Sequence, residues 1–206
     1  MPRYLIKAKT RQRLLNLATP DSAGQPEALP WVLYDTQTFV NASTTQLQFF
    51  QTVQSDKTLG NMEGAGALPD PQFFEIWYIT VDFLFPAVTT NAGVAGDMND
   101  LLIFENAGRA TIEISMSNKV TGPWPVRSAH ASGGPIGTIA SAVVTNTQNY
   151  SNNGPQDGGL WIGGQIVLPP KVNFAVTLRL AAVQTLNTNN LPICVGLHGV
   201  LHRRVL

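Results

Sequence analysis

Three histidines, one cysteine and thirteen carboxylates are the groups with the widest chemical reach in this 206-residue chain. His198 and His202 share a face of one strand-like segment with Cys194, a set of side chains that a transition metal accepts as ligands. The spacing argues against a site. At about 3.3 Å per residue, strand positions four apart stand about 13 Å from each other, beyond the span of one ion. His130 would have to arrive from a distant loop. The expected role of the histidines is polar cover on the outer face of a terminal strand. Cys194 is the single cysteine, so the chain forms no internal disulfide and no cysteine zinc site, and a small core residue is expected there.

Nucleophilic catalysis finds no support. No G-x-S-x-G elbow occurs, and Ser128 and Ser132 flank His130 in a Gly/Pro-rich stretch without the strand–turn–helix setting an elbow needs. A glycosidase-type carboxylate pair would draw on Glu75 with Asp82 or Glu113, but Glu75 and Asp82 are an odd number apart, so a regular strand points them to opposite faces. Asp97, Asn99 and Asp100 gather oxygens as a calcium loop does, without the length or the terminal Glu of an EF-hand, so an Asx-rich turn is the expected reading. Gly64-Ala65-Gly66, Gly158-Gly159 and Gly163-Gly164 do not match a phosphate loop and read as turns, bulges or close backbone approaches. The expectation is a protein with no catalytic site, no metal, no cofactor and no small-molecule substrate.

Charge is placed unevenly. Arg3, Lys7, Lys9, Arg11 and Arg13 fill the first fourteen residues with no acid among them, and Arg203 and Arg204 stand near the end; all thirteen acids lie between, against six cations. Such blocks mark arms that meet an oppositely charged surface. Leu5, Ile6, Leu14, Leu15 and Leu17 interleave with the cations, which fits a strand or short helix laid on protein better than a purely electrostatic tail. A protein partner is favoured over nucleic acid, and Tyr4 alone provides no base-stacking platform. Charged residues make up only 13% of the chain, about half the usual share, and Thr, Asn, Gln and Ser supply the polarity instead. Neutral amides and hydroxyls cost less to desolvate than charges, so this surface suits one that neighbours will cover. No segment reaches the length of a membrane span or of a signal-peptide core, and a soluble protein of a reducing compartment is expected.

The elements that carry these residues read as strands. Pro20, Pro26 and Pro30 break the start, so residues 1–30 are expected as an extended arm and 31–206 as one β domain. Strands are expected at 46–53, 73–85, 138–145, 160–168, 172–180 and 193–201, with a hairpin of 101–104 against 110–116 around the turn 105–109. Residues 73–85 are apolar at both parities, as in a strand covered on both faces. Residues 118–137 and 146–159 read as loops. Of the four tryptophans, Trp124 and Trp161 fall in or near loops as possible surface contacts, while Trp31 and Trp77 suit the core or an interface. Eight or nine strands with long uneven loops favour a jelly-roll-like β-sandwich; the Cys…Trp…Cys spacing of an immunoglobulin domain is missing.

Two runs carry a resemblance. Gln46-Leu47-Gln48-Phe49-Phe50 followed by Leu59-Gly60-Asn61-Met62-Glu63-Gly64-Ala65-Gly66-Ala67-Leu68-Pro69 leads into the strand from Phe73. At the other end, Ile166-Val167-Leu168-Pro169-Pro170 and Asn173-Phe174-Ala175-Val176 precede Val195-Gly196-Leu197-His198-Gly199-Val200-Leu201. In style and order of segments, residues 40–206 resemble jelly-roll virion structural proteins, among them capsid decoration (cement) and minor capsid proteins of tailed phages. The resemblance implies a cement or minor capsid protein located in the virion and assembled in the host cytoplasm. Its implied partners are a major capsid protein or sister subunits in a trimer or dimer. A single jelly-roll major capsid protein is the alternative within that class, and a carbohydrate- or receptor-binding sandwich is the alternative outside it. The resemblance brings no catalytic residue.

Overall fold

The computed structural model describes residues 25–84, 100, 103–104, 109–130, 136–139, 148–151, 159–186 and 190–205, with the backbone alone at 25–26, 136–139, 148–151, 165 and 204–205. The strands are β1 (Gln25–Phe39), β2 (Gln46–Phe49), β3 (Phe73–Phe83), β4 (Thr111–Met116) and β5 (Lys119–Pro125), followed by β6 (Ile136–Ile139), β7 (Gln148–Ser151), β8 (Leu160–Leu168), β9 (Phe174–Arg179) and β10 (Leu191–Val205). They form two four-stranded sheets, β1-β10-β3-β8 and β2-β9-β4-β5, with β6 and β7 as a separate two-stranded ladder. The pairing is nested and antiparallel: β1 with β10, β2 with β9, β3 with β8, β4 with β5. A chain folded double in this way, with successive pairs alternating between two sheets, is a jelly roll. The all-β, jelly-roll-like sandwich expected from the strand count is the observed fold.

Period-2 patterning sets the core. Leu33, Phe39, Ile79, Val81, Ile193, Val195 and Leu197 of the first sheet are buried with Phe49, Ile112, Ile114, Val176 and Leu178 of the second in one cluster. Each such side chain contributes roughly 1.5–3 kcal/mol by leaving water. Phe104 closes one end, with its ring centroid 5.2 Å from that of Phe39 and 4.9 Å from that of Phe83.

Several expectations are corrected. The first strand begins at Gln25, inside the segment read as arm, despite Pro26 and Pro30. Both prolines have the parity of Tyr34 and Thr36, whose N–H groups bond away from β10, to Asn61 Oδ1 at 2.9 Å and to the Leu59 carbonyl at 2.7 Å. On the edge strand β1 a proline at that parity removes no ladder bond. The stretch 118–137 is not one loop: it holds β5, again an edge strand that tolerates Pro123 and Pro125, then a 3-10 turn at Val126–Ser128 and the start of β6. Gln148–Ser151, expected as loop, is β7. Ile103 and Phe104 are helical rather than a hairpin strand, and β4 pairs with β5 and β9 instead.

Candidate interaction surface

One inserted residue shapes the outer face of the first sheet. His198 lies opposite Tyr78 and Gly199 opposite Ile76, so Trp77 is an extra residue on β3, a β-bulge. The core-facing parity changes there, from Phe74 and Ile76 to Ile79, Val81 and Phe83. Trp77 and Tyr78 therefore both turn outward. The bulge also corrects an expectation drawn from regular alternation. Glu75 and Asp82, an odd number apart, share the outer face.

Across that face the strands bring a row of side chains into register: Val32 on β1, His198 on β10, Tyr78 on β3 and Trp161 on β8. Trp161 is 47% exposed and packs edge-on against both Tyr78 and Trp77, with centroids 4.5 and 5.7 Å away. Gly199, next to His198 on β10, lines the depression between the β1 and β3 side chains. The result is a groove of about 780 Å³, walled by Trp31, Val32 and Tyr34 on one side and by Trp77 and Tyr78 on the other. Gly199 is obligatory: a Cβ there would stand 1.8 Å from the Glu75 carbonyl oxygen.

A second cleft, of about 520 Å³, opens between the edges of the two sheets and brings Trp124 of β5 and Trp161 of β8 into one lining with Lys119 and Thr121. The two tryptophans expected as surface contacts thus line one cleft. Both belong to strands rather than loops, and Trp124 is half-buried against the core. Trp31 is 46% exposed at the groove rim, and Trp77 lines the groove.

The polar groups of this face are tied into the fold. His202 is buried beside Glu75, with Nε2 3.3 Å from Oε1, and its ring stacks on Phe73 at 4.3 Å. It is no exposed terminal-strand residue, because β10 runs between β1 and β3. His198 Nε2 lies 2.9 Å from Thr80 Oγ1, and burial holds its ring below the ordinary imidazole range. Burial pushes the Asp82 carboxyl up; the charge of His130 and the Phe83 N–H pull it partly back. Burial likewise pushes the half-buried Cys194 thiol up, which keeps it protonated.

The chemistry weighed from sequence is placed as follows. Glu113 projects from the outer face of the second sheet, bonded to Arg179 at 2.8 Å, with the whole sandwich between it and Glu75. Among the described residues no three His, Cys, Asp or Glu side chains are grouped to hold a metal ion. Asp100 is buried, while Asp97 and Asn99 lie outside the described residues. So do the arm residues Arg3, Lys7, Lys9, Arg11, Arg13, Leu14 and Leu15. No described helix is long and apolar enough to cross a membrane. Tyr34, Tyr78 and His198 were not singled out as a surface, because their alignment depends on the bulge at Trp77. Comparison with protein-family models, curated proteins and solved structures finds no match.

Proposed function

We propose that this chain is a virion structural protein, a cement or minor subunit of an icosahedral shell, that associates through its faces and loops rather than its strand edges. The observation that carries the reading is the nested eight-strand jelly roll, an architecture shared by viral capsid and lectin domains. That step is an analogy of fold, and features of the surface support it. Among the described residues, each edge of the two four-stranded sheets is blunted against open-ended strand addition. Pro26, Pro30 and the side chain of Asn61, which bonds to both Tyr34 N–H and Val32 C=O, close β1. Pro123 and Pro125 interrupt β5, and β2 is four residues long. In β8, residues 162–165 bulge out opposite Trp77, with Gly163 and Gly164 at φ 71°. The low charge leaves broad neutral surface that costs little to bury. Sister subunits or a major capsid protein are the proposed partners, the virion the proposed location, and no catalytic role is assigned.

Electron microscopy of the purified full-length chain, alone and mixed with shells lacking it, tests this reading. Added density on shells supports a cement role, and closed particles from the chain alone support the single jelly-roll major capsid role. A monodisperse monomer that leaves shells bare overturns both.

The Trp124–Trp161 cleft favours a second reading, a carbohydrate-binding sandwich, because an exposed indole beside Lys119 and Thr121 combines a stacking face with hydrogen-bond donors. A glycan array with no hits, and tryptophan fluorescence unmoved by neutral and acidic oligosaccharides, would remove it.

A further inference from the structure

One polar group on the outer face of the first sheet stands apart from those tied into the fold. Trp77 walls the groove, and its indole Nε1 is shut off from solvent with no hydrogen-bond partner. A buried donor left in this state bears the full cost of leaving water, and an acceptor that a ligand brings to it recovers the loss. The other polar side chains of the groove are engaged. Tyr34 O–H donates to the Lys57 carbonyl, Asn61 bonds to both Tyr34 N–H and the Val32 carbonyl, and His198 pairs with Thr80.

The lining limits what such a ligand is. Among the described residues around the groove there is no Asp, Glu, Lys or Arg. Burial holds the His198 ring in its neutral form at pH 7. A carboxylate or an ammonium would therefore lie there unpaired. A sugar, with a hydroxyl on nearly every carbon, would leave most of them unmet. The volume of about 780 Å³ falls within the range of small-molecule sites, roughly 300–1,000 Å³. β10 alone separates β1 from β3, so the strands that carry the two walls run about 9.6 Å apart. A flat ring in contact with both walls needs about 7–8 Å, and two stacked rings need about 10.5–12 Å. One ring fits.

We propose that the groove binds one uncharged aromatic or alicyclic molecule bearing a carbonyl-type oxygen. Its ring lies between the Trp31–Tyr34 wall and the Trp77–Tyr78 wall, and its oxygen accepts from Trp77 Nε1–H. Trp161 gives the oxygen room, because it packs edge-on on Trp77 at 5.7 Å and, at 47% exposure, has solvent to turn into. The site does not depend on the shell reading and stands or falls apart from it.

Acetophenone and toluene are the probes, two molecules with the same ring of which only the first has an acceptor. In proton–nitrogen correlation spectra of the full-length chain, acetophenone is expected to move the Trp77 indole signal downfield, as a new hydrogen bond does, and toluene is not. Trp77→Phe keeps an aromatic wall without the donor. It is expected to weaken acetophenone about fivefold, the fold-change of a hydrogen bond worth about 1 kcal/mol, and to leave toluene unchanged. Val32→Trp, at a position already 37% exposed, fills the groove and is expected to abolish binding of both. Circular dichroism checks that the variants fold; should Trp77→Phe fail to, the indole signal of the unsubstituted chain decides. An indole signal that acetophenone leaves in place, or equal weakening of both probes by Trp77→Phe, would overturn the role of Trp77. Absence of saturable binding of either probe, or binding that survives Val32→Trp, would overturn the site.

Discussion

His202 and Glu75 meet across β10 and β3 with 3.3 Å between Nε2 and Oε1, and neither side chain is more than 3% exposed. The imidazole also lies flat on Phe73, with the ring planes 8° apart. It therefore has two separable roles, as partner of a buried carboxyl and as a packing plate. Removing a buried polar contact costs about 1–3 kcal/mol, and the loss of a packed ring adds to it. His202→Ala, which loses both roles, is expected to destabilise by the sum of the two. His202→Phe keeps the plate and is expected to cost less, though still at least about 1 kcal/mol through the lost polar partner. Urea unfolding of the three proteins measures the order. Equal stability of His202→Phe and the unsubstituted chain would show that the contact with Glu75 contributes nothing.

Gly199 and Gly196 occupy the same strand three residues apart but face different obstacles. A Cβ at Gly199 meets the Glu75 backbone carbonyl, which cannot turn aside, whereas one at Gly196 meets the Thr80 hydroxyl at 2.6 Å, which can rotate. Gly199→Ala is expected to cost about 3 kcal/mol or more, or to prevent folding, by forcing the bulge apart. Gly196→Ala should cost roughly half as much, with the Thr80–His198 contact disturbed. Thermal melts rank the two variants, and a reversed ranking would count against the bulge as drawn.

That bulge marks where the sequence stops being readable. Alternation alone reveals Ile112 and Ile114 as core positions, because that pattern is local and apolar burial decides it, whereas Phe73–Phe83, apolar at both parities, is buried on both faces only over Phe73–Ile76. The parity change at Trp77 is not local. It is settled by Gly199 on the partner strand, 122 positions away in sequence, whose missing Cβ lets the backbone of Glu75 approach. Edge prolines misled for a related reason. Pro26 and Pro123 read as breakers until the sheet order shows that β1 and β5 have only one neighbour each. The convergence of Trp124 and Trp161 follows from how two sheet edges abut, which no spacing within one strand encodes.

Asp35 links the sheets through a buried carboxylate. One oxygen accepts the Phe50 N–H at 2.6 Å and the Gln37 amide at 3.0 Å, and the other accepts the Gln54 amide at 3.1 Å. Phe50 directly follows β2, so this group on β1 fixes where the chain leaves the opposite sheet. Asp35→Ala is expected to cost about 3 kcal/mol, since it leaves a buried N–H without its acceptor. Asp35→Asn keeps one acceptor oxygen and should lose less. Hydrogen exchange at Phe50 reads the effect directly. Protection of that amide unchanged in Asp35→Ala would refute the assignment.

His198 gives the fold a pH dependence whose sign is fixed. Burial beneath the groove walls lowers its pKa below the 6.5 of a free imidazole, so in the window beneath 6.5 the unfolded chain binds more protons than the folded one. Stability is therefore full above that value and falls as pH drops towards the folded-state pKa. Asp82, whose pKa is raised from 3.8, acts in the opposite sense in the window just above 3.8, where the folded chain binds more protons and stability falls as pH rises. The two windows are separated by replacing His198 alone. His198→Gln retains a polar group facing Thr80 but cannot titrate, and its urea midpoint should lose the decline below pH 6.5 seen in the unsubstituted chain while keeping the acid-side behaviour that Asp82 sets. A midpoint that declines identically in both proteins would assign the titration to another group and leave His198 as a packing residue.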